Sequence, residues 1–578
     1  MKSDSRANGT RTTTTEAGAT EPSRPGVLSL SFSGPGVFVA LLFVALSLLP
    51  SLLPRTPLFQ GLVSAVTMMI GYGLGVLGQS AWNFLELPKP RPGSSAEKTI
   101  FWQAVVVIGL ITVASIWRHV GWQNDVRSLL EMDHITPVVW LPIIVITAMV
   151  ATLVLILSRS IRKLFRLVVR WLDKVVPRRV SQLLGGTAVV LFSFFLVNGV
   201  LVSGFFSAAN QAFSIRDTAT TEGLLEPQVP QKSGSPQSLV EWETLGRQGR
   251  SFVASGPTVE ELNAFHQGGA IEPIRVYAGL KSADTIQGRA DLVLEELKRA
   301  GAFEREVLIV VTTTGTGFME PKAMNTLEYI YNGDSAIVGV QYSYLPSWIS
   351  LLADQEVTKK TSRVVFGTIH DYWASLPESA RPEIYLYGLS LGSFGAESIL
   401  TSINIINEPI DGALLTGPTF LNSLWKEITD DRDPGSPAWL PIYQDGRTVR
   451  FTSLENALDT PSAEWDGTKV VYLQHASDPI SFFSPDLIFS KPDWLKDRQR
   501  GPDVSDRMTW VPLVTAWQVA LDLAVAGSVP AGHGHLYTRS ENLDAWVGLT
   551  GGPSGWSADD TEELRELLVG WDLEDALE

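Results

Sequence analysis

Apolar residues are spaced in two different ways along this chain, and the change falls near residue 206. Before it they gather in five long runs, at residues 37–53, 58–84, 100–117, 138–157 and 183–206. Each run is long enough to cross a hydrocarbon core of about 30 Å, which takes about 17–25 residues at helical rise. Five such runs in series, parted by basic loops, are rare among the core helices of soluble folds. The pattern therefore predicts a five-helix transmembrane bundle within residues 31–206. A polar connector follows within residues 207–260, including QVPQKSGSPQS, and reads as a linker or a loop over the domain surface. Beyond it, short β-type runs alternate with helical stretches. Residues 274–277, 307–312, 336–342, 383–387, 413–415 and 470–473 read as strands, and 286–300 and 362–373 as helices. Strands parted by helices predict an α/β domain over residues 261–578 with a mostly parallel sheet, whose active site lies at the carboxyl ends of the strands.

The placement of charge orients the bundle. Fifteen Lys and Arg residues fall in the amino-terminal tail and in the loops after the second and fourth runs, against three (Arg55, Arg118 and Arg127) in the opposite loops. The excess of positive charge marks the cytoplasmic side. It predicts a multi-pass protein of the cell membrane, with a cytoplasmic amino terminus and everything after residue 206 outside. Residues 162–179, with Leu and Trp between the arginines, also read as an interfacial amphipathic helix. Residues 1–30 are Thr-rich and polar and predict a disordered tail, and the first apolar run begins too late for a cleavable signal peptide. Gly71 and Gly75 in the second run have the small-residue spacing of a helix contact, expected within the bundle, with homo-oligomerisation through the spanning helices as the alternative.

Composition removes several function classes. The chain has no cysteine, so disulfides and Cys-zinc sites cannot contribute. Residues 207–578 carry 27 Lys and Arg against 52 Asp and Glu. Such an acidic surface repels phosphate backbones and excludes nucleic acid as an expected partner.

The candidate chemistry is concentrated in EIYLYGLSLGSFGAESIL, where a β-type run breaks at Gly388-Leu389-Ser390-Leu391-Gly392 into a helical stretch. This is the pattern of a nucleophile elbow, with Ser390 on a strained strand-to-helix turn and glycines where a Cβ would collide with its neighbours. A serine hydroxyl needs an imidazole to take its proton and a carboxylate to orient that imidazole. In the chain order Ser, Asp, His, the run VVYLQHASDPI supplies Asp478, and SVPAGHGHLY supplies His533 or His535. His533, directly after Gly532, is the favoured base, with His535 as the alternative and His475 as a structural or lining residue. Oxyanion donors are expected from the Leu391 amide and from the loop TTTGTGF through Gly315 and Thr316. No GK[ST] follows that loop, so a nucleotide site is not expected. A metal held by His475, Asp478, His533 and His535 would leave Ser390 without a role. No cofactor or metal is expected.

The segments TTTGTGF, LEYIYNGDSAIVGVQYSYLPSW, RPEIYLYGLSLG, VVYLQHASDP and VPAGHGHLY together resemble the membrane-anchored bacterial α/β-hydrolase family, which carries an amino-terminal multi-helix domain. The resemblance runs from the apolar helices almost to the carboxyl end and implies the α/β-hydrolase fold and serine-hydrolase chemistry. Leu389 departs from it, standing where a polar elbow residue is expected. The function expected is a membrane-bound serine esterase or lipase-like enzyme acting at the outer face of the membrane on an acyl ester, such as a cell-envelope lipid. Partners are then the lipid bilayer and the acyl-ester substrate. The alternatives are an acyltransferase with the same triad and a non-catalytic, hydrolase-like envelope binding module.

Overall fold

The computed structural model describes residues 32–577, apart from 89–93, 196–197, 200–201, 354, 403–404, 406 and 497–498. The expected disordered tail, residues 1–30, lies outside the described residues.

Among these, β1 (Ile274–Ala278), β2 (Val307–Thr312), β3 (Ser335–Val340), β4 (Glu383–Leu389), β5 (Gly412–Thr416), β6 (Val449–Thr452) and β7 (Lys469–Leu473) form one sheet. Its order is β1-β3-β2-β4-β5-β7-β6 and every neighbouring pair is parallel. The strands read as continuous apolar runs because helices cover both faces. Leu308 and Val310 enter one buried cluster with the helices Ile286–Ala300 and Gln355–Ser375. Val307, Ile309 and Val311 enter the other, against Pro321–Ile330 and Arg539–Thr550. The strand absent from the sequence reading is β6, whose four residues VRFT are too few to show a period and which pairs only with β7.

The amino-terminal helices are α1 (Gly34–Ser47), α2 (Pro57–Phe84), α3 (Ser95–Leu129), α4 (Trp140–Leu172), α5 (Arg178–Phe195) and α6 (Ser203–Asp217). Three helices among the described residues, not five, are long and apolar enough to cross a membrane: Pro57–Phe84, Ser95–Leu129 and Pro137–Leu172. They carry the second, third and fourth runs. The first run is cut short, because α1 ends after 14 residues and the proline-flanked stretch PSLLPR leaves the helix. The described residues of the fifth run belong to α5 as far as Phe195, to π-helical turns at residues 198, 199 and 202, and to α6 from Ser203. Residues 162–172 continue α4 instead of forming a separate surface helix. Gly71 and Gly75 pack on α1, where an added Cβ would lie 2.7 Å from the Val39 carbonyl oxygen and 2.5 Å from that of Pro35. These two glycines thus let α1 and α2 approach within the bundle.

The stretch between α1 and α2 is built into the α/β domain. Leu52 and Leu53 are fully buried in the first core cluster, together with Val126 and Leu130 from the end of α3. Beside them the Arg55 guanidinium meets Asp522 at 3.1 Å with both side chains fully buried. Ser51 also donates to Asp522, and the Gln518 amide donates to the carbonyls of Ser47 (3.2 Å) and Leu49 (3.0 Å). Breaking one side of a buried ion pair costs about 3–5 kcal/mol. The helical part and the α/β domain are therefore joined by a specific buried contact as well as by the connecting chain. Residues 207–260 pack on the sheet edge: the Ser233 amide donates to the Arg275 carbonyl of β1 at 3.0 Å.

Candidate active site

β4 ends in the turn expected of the elbow. Ser390 has φ 56° and ψ −122°, a left-handed-side conformation costly for a residue with a Cβ. The strain is held by close packing at the two glycines. A Cβ on Gly388 would lie 2.4 Å from the Gly392 carbonyl oxygen, and one on Gly392 would lie 2.3 Å from that of Thr312 at the end of β2. Ser390 is half-buried and opens the helix Leu391–Leu400, so the Leu391 amide sits in the first turn, where helix N–H groups have no intrahelical acceptor. Leu389 is buried in the apolar cluster on one sheet face, where no polar partner is called for. On the other side of the turn, Leu391 and Phe394 pack with Tyr342 and Leu351, against Phe420 and Leu421.

Asp478 follows β7 and is fully buried. One of its oxygens accepts from the Ile480 amide at 2.8 Å; the other accepts from His535 Nδ1 at 2.6 Å and from the Tyr537 hydroxyl at 3.0 Å. The carboxylate is thus oriented by its own short helix and by Tyr537, and holds the His535 ring with Nδ1 protonated. His535 Nε2 is buried and has no hydrogen-bond partner among the described residues. The ring lies on Gly417, directly after β5, where a Cβ would approach His535 Cε1 to 2.5 Å. The Ser390 amide donates to the carbonyl of Thr416, the residue before Gly417, at 2.9 Å. Ser390 and the His535 ring therefore both lie at the carboxyl ends of two adjacent strands, β4 and β5.

The histidine preferred from the sequence is not the one that meets Asp478. His533 is turned the other way, with Nδ1 3.7 Å from Asp503. The reason is the turn itself. The loop closes through Gly532 and Gly534 at φ 89° and 55°, and the two histidines flanking Gly534 leave it in different directions. Asp503 also takes the Ser477 hydroxyl, which in turn accepts from the Gly534 amide at 2.9 Å.

His475 lies beneath the same loop, donating through Nδ1 to the Gly534 carbonyl at 3.0 Å and through Nε2 to the buried Glu541 carboxylate. Burial works against its charged form, yet the adjacent Glu541 carboxylate pushes its pKa up to about 9. A folded pKa above the unfolded value of about 6.5 stabilises the protein fully below pH ~6.5, and this contribution fades as pH rises through about 9. The melting temperature should therefore fall over that window, and the wild-type advantage over Glu541→Gln should shrink across it. A constant difference between the two melting curves would show that His475 is not charged in the folded protein.

The loop after β2 is a closed turn in which the Thr314 amide donates to the Phe318 carbonyl at 3.0 Å and the Gly317 amide to the Thr314 carbonyl at 2.8 Å. Gly315 serves close approach: a Cβ there would lie 2.4 Å from the Leu345 carbonyl oxygen. Thr316 is half-buried and faces a cleft of about 330 Å³. Among the described residues no group of three or more acidic and histidine side chains is placed to hold a metal.

A family model described as an α/β-hydrolase family matches residues 274–564, from β1 to the last helix. The chain belongs to the α/β-hydrolase family. A companion model for the amino terminus of the same family matches residues 48–257, beginning at the stretch between α1 and α2 that enters the core of the α/β domain. No curated protein and no solved structure matches the chain. Membership suggests a hydrolase, and within this hydrolase Tyr537, Gly417 and the His475–Glu541 pair were not recognisable from sequence. Gly417 carries no motif, and the importance of the others arises only from contacts across more than fifty residues.

Proposed function

We propose that this hydrolase is a membrane-bound serine esterase or lipase-like enzyme that uses Ser390, His535 and Asp478. The observation that carries the proposal is the pairing of Asp478 with His535 Nδ1, which leaves Nε2 without a hydrogen-bond partner among the described residues, at the same end of the sheet as the strained Ser390. Ser390 Oγ attacks the ester carbonyl carbon as its proton passes to His535 Nε2. The carbonyl oxygen becomes an oxyanion that accepts from the Leu391 amide and from the loop after β2, in which the Thr314 and Gly317 amides are already committed. The ester C–O bond breaks, the alcohol leaves with the proton from His535, and water or a second alcohol then releases the acyl group. The test is covalent labelling of the full-length protein by a fluorophosphonate probe, which reports an activated serine. A protein that stays unlabelled returns the non-catalytic reading.

We also propose that α2, α3 and α4 span the membrane and that the chain crosses it once more between Arg170 and Asp217, with the α/β domain outside. The charge bias supports this orientation. So do the buried contacts of Leu53 and Arg55 and the ion pair of Asp125 with Arg507, which set the α1–α2 and α3–α4 connections on the side of the α/β domain. A reporter active only outside the cytoplasm should be active when fused after Asp217 and silent when fused after Arg170. The opposite pattern would reverse the orientation. An enzyme held this way meets esters carried in the outer leaflet at high effective concentration, which favours lipid over freely soluble substrates.

A further inference from the structure

A cleft of about 330 Å³ opens between α6, the helix Gly246–Ala254 and the loops that follow β2 and β3. Thr314 and Thr316 form one wall, so the cleft begins at the loop that supplies oxyanion donors in the proposed reaction. The end of β2 is in register with the elbow: Thr312 pairs with Gly388, two residues before Ser390. The opposite wall comes from α6, which follows the last apolar helix of the amino-terminal part. A molecule lying in this cleft therefore touches both the reacting end of the sheet and the segment that leads to the bundle.

Its lining is of two kinds. Phe213, Phe318, Tyr344 and Pro346 are apolar or aromatic, whereas Arg216 and Arg247 bring two guanidinium groups. Neither guanidinium makes a hydrogen bond or ion pair to another side chain among the described residues. The cleft also holds one carboxyl group, Asp217, whose Oδ1 is already hydrogen-bonded. It accepts from the Arg247 amide at 3.1 Å and from Gln341 Nε2 at 3.3 Å, and burial pushes its pKa up. Two unengaged cations beside one hydrogen-bonded carboxyl group form a locally positive mouth on a domain that carries 52 acidic against 27 basic side chains. Aromatic walls suit a hydrocarbon chain or the apolar part of a headgroup, and paired guanidiniums suit phosphate or carboxylate oxygens.

We propose that this cleft binds the anionic end of an amphiphilic substrate, so that the preferred substrates are acyl esters whose alcohol part carries a phosphate or carboxylate. The inference rests on the serine-hydrolase reading for the word substrate, while the binding site itself does not depend on it. After Ser390 takes the acyl group, the departing alcohol keeps its anionic group against Arg216 and Arg247.

The experiment titrates the full-length protein in neutral detergent with lauryl phosphate, inorganic phosphate and lauryl maltoside by calorimetry, and repeats this with Arg216→Gln/Arg247→Gln. Lauryl phosphate should bind at least tenfold more tightly than either comparator, and the double variant should lose at least tenfold of that affinity. It should also slow fluorophosphonate labelling of the wild-type protein. Equal binding of phosphate and maltoside amphiphiles, or unchanged affinity in the double variant, would overturn the proposal. Tight binding of inorganic phosphate alone would do so too, since the site would then serve a free anion. Absence of labelling in the wild-type protein would instead remove the hydrolase reading and leave the binding result standing.

Discussion

Ser390→Ala is expected to abolish fluorophosphonate labelling and to lower ester turnover by on the order of 10⁴-fold or more, while the melting temperature changes little. The hydroxyl is the only group in the proposed reaction that forms a bond to the substrate, so nothing nearby can replace it. The fold has little reason to suffer. The backbone strain at φ 56° is imposed by the contacts of Gly388 and Gly392, and alanine keeps the same Cβ. Labelling that persists at wild-type level in this variant would move the nucleophile to another residue.

His535→Ala should be nearly as damaging, whereas His533→Ala should cost less than about tenfold in turnover. The difference follows from the partners of the two rings. Removing His535 takes away the proton acceptor and the shortest hydrogen bond of the buried Asp478, which keeps the Ile480 amide, Tyr537 and the more distant Ser481 hydroxyl as donors. Removing His533 takes away a ring whose charged neighbour is Asp503, 3.7 Å distant, and Asp503 keeps its contact with Ser477. The glycine turn that delivers His535 therefore survives. Melting curves of both variants separate loss of the base from collapse of the loop. Equal loss of turnover with equal stability would show that the Asp478–His535 pair does not set the base.

Much of the architecture could be read from local pattern. Buried parallel strands such as Val307–Thr312 are continuous apolar runs, and the helix Ile286–Ala300 ends at Gly301 with φ 78°, as its glycine stop predicts. The elbow was legible for the same reason: GLSLG owes its glycines to contacts within one strand–turn–helix unit. Asp478 likewise stands at a strand end that the sequence marks clearly. Hydropathy located the helices α2, α3 and α4, because length and composition alone decide whether a helix can cross a hydrocarbon core.

Other features depend on contacts that no local pattern encodes. Hydropathy cannot tell a segment that enters lipid from one that enters a protein core, since both present apolar side chains; Leu52 and Leu53 took the second course. Two histidines separated by one glycine look equivalent along the chain, and the choice between them was made by the left-handed turn at Gly534 and by the rings' distant partners, Asp478 and Asp503. The amino-acid sequence by itself determined the α/β class, the apolar helical half and the serine elbow, all products of short-range periodicity and turn chemistry. The tertiary structure alone decided which histidine meets the acid, how the stretch between α1 and α2 enters the α/β core and where a cationic cleft opens, because each requires residues tens to hundreds of positions apart to come into contact.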